Sequence, residues 1–165
     1  MTGKRLVVPE MNDREYMLHA FRGDLDAIRL IDDLRLIAGV WDDLYDGDKG
    51  LTKEQISKAF WAATVSIPSN PFYLRFASDL RPVMAVGIIN WQIANEYEHG
   101  LHEERVLAHV LRYSIADVAT LIAMLIGGPE WVAVVGPELR RRSQKDTLQH
   151  YLGELEARNG QATAA

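Results

Sequence analysis

Apolar residues recur through 23–48 at helical intervals. Leu30, Leu34, Ile37, Trp41 and Leu44 step by four, three, four and three, so they share one helix face. Asp24 precedes the run as an N-cap, its carboxylate placed to accept from the free N–H groups of the first turn. Asp46-Gly47 supplies the stop. The pattern predicts a helix over 24–46. Ile28 and Ile31 make its second side partly apolar. A helix that is apolar on most of its circumference packs inside a fold. This one is expected to run, buried, through the centre.

The rest of the chain reads as further helices. Tyr16, Met17 and Phe21 form the apolar face of a short helix capped by Asn12 or Asp13 and broken at Gly23. Thr52 and Gln55 make a capping box for a helix over 53–67. Its expected core face is Ile56, Phe60, Ala63 and Ile67, and Pro68 ends it. Asn70-Pro71 opens another helix, which Pro82 should break or kink. Beyond Pro82, Val83, Val86, Ile93 and Tyr97 share a face as far as Gly100. Residues 102–126 carry a ladder of Val106, Val110, Tyr113, Leu121 and Met124. Gly127-Gly128-Pro129 opens a short apolar helix over 130–135. Gly136-Pro137 opens the last, to about Arg158, anchored by Leu148, Tyr151, Leu152 and Leu155. The apolar run 131–135 is the nearest approach to a strand and is too short for one. The expected fold is therefore all-α, a single-domain bundle of about six or seven helices over 1–158, built around helix 24–46. Residues 1–10 read as an extended arm and 159–165 as a disordered tail.

Composition narrows the function classes. The chain has 165 residues, 48% hydrophobic and 25% charged, which is globular composition. Its net charge of −5 argues against nucleic-acid binding through a basic surface. It has no cysteine, which removes disulfides, thiolate nucleophiles and Cys-based zinc sites. No apolar run approaches the roughly 20 residues that span a bilayer, and only Leu6, Val7 and Val8 follow the basic pair Lys4-Arg5. The expectation is a cytoplasmic protein with no membrane segment.

The candidate chemistry lies in acids on apolar faces. On the 24–46 wheel Asp26 and Asp33 fall inside the apolar stripe, and Asn90 sits in the middle of a second apolar face with Glu98 at its edge. Asp117 is the rung between Tyr113 and Leu121. Several buried carboxylates repel one another and need a cation. Hard oxygen donors with one Asn favour Mg²⁺ or Mn²⁺. The expected metal set is Asp26, Asp33, Asn90, Glu98 and Asp117, with Asp33 and Asp117 as catalytic residues. An alternative cluster is Asp42, Asp43 and Asp46, with Asp42 and Asp46 near the opposite side of the wheel and Asp43 between. The opposing possibility is a set of buried ion pairs using Arg22, Arg29, Arg75 or Arg112.

A family resemblance rests on the alternative cluster. Residues 41–46, WDDLYD, hold a DDxxD pattern, and Asn90, Ala94 and Glu98 have i, i+4, i+8 spacing. This resembles the two metal motifs of class I terpenoid synthases. The resemblance implies an α-helical bundle in which Asp42, Asp46, Asn90 and Glu98 bind Mg²⁺ ions that grip a substrate diphosphate. The chain departs from that family in having Ala94 in place of a Ser or Thr ligand, in the close spacing of the two motifs, and in being about half the length of a typical catalytic domain.

Other signals are weaker. The link after Asp46 fails as an EF-hand loop because Leu44, Lys49 and Gln55 stand at key positions. Glu96 and His99 give one Glu-x-x-His where a di-iron bundle uses two. Arg140, Arg141, Arg142 and Lys145 form a small basic patch. The leading expectation is a Mg²⁺-dependent enzyme acting on a phosphate or diphosphate substrate. It would be terpenoid-synthase-like, or similar in size and acid content to a nucleotide pyrophosphohydrolase, though the paired E-x-x-E and E-x-x-D motifs of that group are missing. The alternative is a non-catalytic helical protein that binds a protein partner through the last helices, around Trp131 and Tyr151. A homodimer is compatible with either.

Overall fold

Side-chain oxygens set most of the helix starts in the computed structural model, which describes residues 11–47, 50–144 and 146–162. Helix α1 (Asp13–Ala20) opens with a capping box between Asn12 and Glu15. Helix α2 (Leu25–Asp46) opens on Asp24, whose Oδ1 accepts from the N–H groups of Asp26 and Ala27 at 3.0 and 2.9 Å. It ends on Gly47, whose φ of 67° is a left-handed geometry suited to glycine. Thr52 and Gln55 box the start of α3 (Lys53–Trp61). That helix runs through a π-helical stretch (Ala62–Ser66) into the single turn α4 (Ile67–Ser69). Asn70 caps α5 (Pro71–Tyr97) by accepting from the Tyr73 N–H at 3.0 Å. Helices α6 (His102–Leu111), α7 (Ile115–Ser143) and α8 (Leu148–Ala162) follow. No strand occurs among the described residues. The fold is all-α.

The main core joins α1, α2, α5 and α7. Phe21, Ile28, Leu30, Ile31, Leu80, Ile122 and Val135 are its largest fully buried side chains. Two hydrogen bonds tie α1 to α7. The Tyr16 hydroxyl donates to the Val135 carbonyl at 3.0 Å, and Trp131 Nε1 donates to the Ala20 carbonyl at 2.8 Å. A smaller cluster holds α8 on the α5–α6 hairpin, with Tyr151 and Leu155 against Ala94 and Ala108. Alanine at both contacts lets the helices approach closely.

Several boundaries and faces differ from the sequence expectations, each for a physical reason. Helix α2 is not buried throughout. Ala27, Ile28, Leu30, Ile31 and Val40 are buried, but Leu44 and Tyr45 are exposed. The core face of its first half centres on Ala27 and Ile31, not on the line through Leu34 and Leu44. Asp26 and Asp33 therefore lie about 120–140° round the helix from the centre of the core face. Helix α3 buries Ala59 and Ala62 and turns Ile56 and Phe60 outward. Small residues permit a close approach to α2, and the π stretch shifts the phase before Ile67. Pro68 lies inside α4 and does not end it.

Pro82 does not interrupt α5. The non-helical residue is Phe76, at φ −121° and ψ 23°. Val86 and Ile93, expected in the core, are exposed. The expected helix over 102–126 divides at 112–114, and Val110 and Met124 face solvent. Gly136-Pro137 lies within α7, and the turn to α8 comes only after Ser143. The break in α7 falls at Gly128, inside the expected Gly127-Gly128-Pro129 boundary, at φ 80° and ψ 177°, a conformation essentially restricted to glycine. By length and composition alone the apolar part of the α6–α8 region is long enough to cross a membrane, though Gly128 breaks its ladder. Helix α8 runs to Ala162, beyond the expected end near Arg158. The expected arm 1–10, Lys145 and residues 163–165 of the expected tail lie outside the described residues.

Candidate functional site

The side chains of α2, α5 and α8 converge on one guanidinium. Arg112 caps the C-terminal end of α6, and its neighbours come from three other helices. Its Nη2 donates to Asp42 Oδ1 of α2 at 2.5 Å. Its Nη1 donates to Asn95 Oδ1 of α5 at 3.0 Å and also to Glu98 Oε1. The Tyr151 hydroxyl of α8 donates to the same Glu98 oxygen at 2.6 Å. Trp91 Nε1 donates to Asp42 Oδ1 at 3.0 Å. Trp41 and Tyr45 pack on the Trp91 ring, with centroids 4.0 and 5.0 Å away. Glu98 is 6% exposed. A buried carboxylate holds its charge only when paired and hydrogen-bonded, and here it is both.

The electrostatics follow from this packing. Burial alone would pull the Arg112 guanidinium down, but Glu98 and Asp42 beside it hold its pKa above the ordinary arginine value. Burial, then the hydrogen bond to Glu98, push the Tyr151 phenol well above the usual tyrosine range. Asp46 stands at the edge of the cluster, 3.7 Å from Arg158. Burial and Asp42 raise its carboxyl, against the opposing pull of Arg112 and Arg158.

A cleft of about 730 Å³ opens beside the cluster. Asp42, Asp46, Trp91, Arg112, Tyr151 and Arg158 line it, with Arg35, Tyr113, Asp146 and Glu154 at its sides. Asp42 and Asp46, placed by the wheel away from the main stripe, are thus the α2 acids that turn inward.

The other expected site residues lie elsewhere. Asp26 pairs with Arg29 one turn along, at 2.9 Å. Asp33 lines a separate groove between α2 and α3. Asp117 pairs with Arg140. Asn90 donates from Nδ2 to the Ser114 hydroxyl at 3.2 Å. Asp43, of the alternative cluster, accepts through its carbonyl from the Gly47 N–H. Asp26, Asp33 and Asp117 therefore share no pocket with Glu98. Among the proposed counter-ions Arg29 and Arg112 pair with acids, whereas Arg22 and Arg75 stack over Trp131 and Phe76. The basic patch is not free either. Arg140 holds Asp117, and Arg141 and Arg142 both hold Glu138. Trp131 is half-buried and Tyr151 buried, and each donates a hydrogen bond inside the fold.

The donor set does not fit a divalent cation. Asp42 Oδ1 accepts from Arg112 and Trp91, Glu98 Oε1 accepts from Arg112 and Tyr151, and Ala94 offers no ligand. Among the described residues no group of three His, Asp or Glu side chains could hold a metal ion. The residues that complete the cluster, Trp91, Asn95 and Arg112, were not singled out together from the sequence. Trp91, Asn95 and Glu98 stand at i, i+4 and i+7, so their common face was legible.

No protein-family model, curated protein or solved structure matches the chain.

Proposed function

We propose that this is a non-catalytic helical interaction protein, in which the acids are structural ion pairs and a protein partner docks between α2 and α3. One observation carries the reading: the acids are dispersed, and most of them are taken by arginines. Asp26 belongs to Arg29, Asp117 to Arg140, and Asp42 and Glu98 to Arg112. The partner surface follows from what α3 leaves uncovered. Phe60 is 70% and Trp61 is 62% exposed, and Ile56 and Val65 stand on the same helix face in part. Trp61 also borders a groove of about 370 Å³ with Leu36, Lys58 and Asp33. An apolar helix face set in such a groove is a common mode of peptide recognition.

The charge in the groove selects the partner. Burial and the neighbouring Asp32 raise the Asp33 carboxyl above the usual aspartate range. No arginine or lysine among the described residues pairs with it. An amphipathic helix with a Lys or Arg beside its apolar stripe satisfies both the aromatic face and Asp33.

Calorimetric titration with two designed amphipathic peptides, alike except that one carries lysines and the other glutamates, tests this. The lysine peptide is expected to bind, and Asp33→Asn is expected to weaken it several-fold. Equal binding of both peptides, or none, would reject the groove. The same variant has a pH signature. The folded pKa of Asp33 lies above its unfolded value, so its ionisation opposes folding. That stability is lost as pH rises from about 4 through the raised folded value. Asp33→Asn is therefore expected to be slightly more stable than the wild type at neutral pH, by no more than about 0.5 kcal/mol for a charge still partly open to solvent. The difference closes in acid.

The competing reading is the Mg²⁺-dependent enzyme of phosphate or diphosphate substrates. One observation favours it: Asp42 and Asp46 line a single cleft, and Glu98 pairs with Arg112 at its wall. It requires Arg112 to give up its carboxylates to the metal.

A further inference from the structure

The outer face of α5 is apolar and carries no charge over four turns. From Pro82 to Asn95 there is no Asp, Glu, Lys, Arg or His. A helix face turned to water ordinarily carries charge. Here Val86, Ile89 and Ile93 stand on that face, at i, i+3 and i+7, and Ile89 is 52% exposed. Helix α8 covers the opposite side of the α5–α6 hairpin, where Tyr151 and Leu155 meet Ala94 and Ala108. Leu107 and Val110 of α6 are also exposed, away from that covered side. Nothing among the described residues covers this apolar surface.

We infer that this face pairs with the same face of a second copy of the chain, antiparallel, about a two-fold axis at Ile89. The charges that bracket the apolar run set the register. Arg81 comes eight residues before Ile89 and Glu96 seven after it. At about 1.5 Å of rise per residue, each lies roughly 10–12 Å from the axis along α5. An antiparallel pairing centred on Ile89 therefore brings Arg81 of each copy opposite Glu96 of the other. Neither charge has an ion-pair partner among the described residues. Arg81 donates from Nε to the Tyr73 hydroxyl at 3.1 Å, and Glu96 is exposed. A two-fold interface must be self-complementary, and an uncharged seam whose nearest flanking charges are a cation at one end and an anion at the other, at matched distances, meets that condition. A partner of one charge sign would leave one end of the seam mismatched. The α5 and α6 helices of two copies would then form a four-helix arrangement.

This goes beyond the groove between α2 and α3 and does not depend on it. The test is analytical ultracentrifugation of the full chain across a concentration series. The wild type is expected to sediment as a dimer. Ile89→Arg is expected to raise the dimer dissociation constant at least tenfold while leaving the helical circular dichroism and the thermal midpoint of the monomer intact. Arg81→Glu and Glu96→Arg are each expected to weaken the dimer about threefold or more, and the double variant to restore it. A monomeric wild type at about 100 µM overturns the proposal. So does a dimer that Ile89→Arg leaves unchanged, or a double charge swap that fails to recover what the single swaps lose. Phe60→Arg is expected to leave the dimer untouched, so failure of the groove and failure of this interface give different results.

Discussion

Arg112→Ala is expected to lower the stability of the fold by about 3–5 kcal/mol, the range for removing one partner of a buried ion pair. Arg112 has a side chain only 14% exposed and serves two carboxylates at once. Without it Glu98 keeps the Tyr151 hydroxyl but no cation, and Asp42 keeps only the Trp91 N–H. The loss should therefore exceed that from an exposed ion pair such as Glu54–Lys58, which water screens. For a chain of this size, each kcal/mol moves the midpoint by about 2–4 °C. Differential scanning calorimetry should show a drop of roughly 6–20 °C. Glu98→Gln in the Arg112→Ala background should recover part of it, because it removes the orphaned charge. A loss under about 1 kcal/mol would mean that the cluster is not what joins α2, α5, α6 and α8.

Phe21→Ala is expected to cost a comparable amount, about 3–5 kcal/mol, through a cavity. Phe21 is fully buried at the point where α1 turns into α2. The turn behind it cannot move to fill the space. The Phe21 N–H is bonded to the Met17 carbonyl, Gly23 N–H to the Leu18 carbonyl, and Asp24 N–H to the Phe21 carbonyl. Arg22, at φ 50°, already sits in the left-handed region. Helix α1 is also pinned to α7 through Tyr16 and Trp131, so it cannot slide inward. Phe21→Leu keeps most of the volume and is expected to cost less than half as much. Denaturant unfolding of both variants, with an unchanged slope, checks the assignment to a cavity.

The helix starts were legible because caps are local. Asn12, Asp24, Thr52 and Asn70 each bond an N–H two or three residues away, and four adjacent letters carry that information. Which face each helix buries was not legible in the same way. Burial of α3 is decided by the alanines that let it lie close to α2 and by the π stretch that turns its end. The apolar stripes of α3 and α5 read as core faces in the sequence, yet Ile56, Phe60, Val86 and Ile93 face outward. An apolar stripe says that something should cover it, and not whether the cover belongs to the same chain. The candidate site was legible only in its acids. The spacing of Asn90, Ala94 and Glu98 and the run from Asp42 to Asp46 marked side chains that do lie near one another in part. The cation between them comes from Arg112, on a different helix, and no local pattern pairs it with Asp42, which lies 70 residues away.

Arg112 is the counter-ion of Asp42 and Glu98. That pairing is tested most directly by thermal unfolding of the full chain with and without millimolar Mg²⁺ or Mn²⁺, on the wild type, Asp42→Asn and Glu98→Gln. A ligand that binds only the folded state raises its stability by mass action. The ion-pair account predicts no metal-dependent rise in any of the three, with both variants less stable than the wild type. A rise in the wild type that either substitution abolishes would contradict it and assign these carboxylates to a metal.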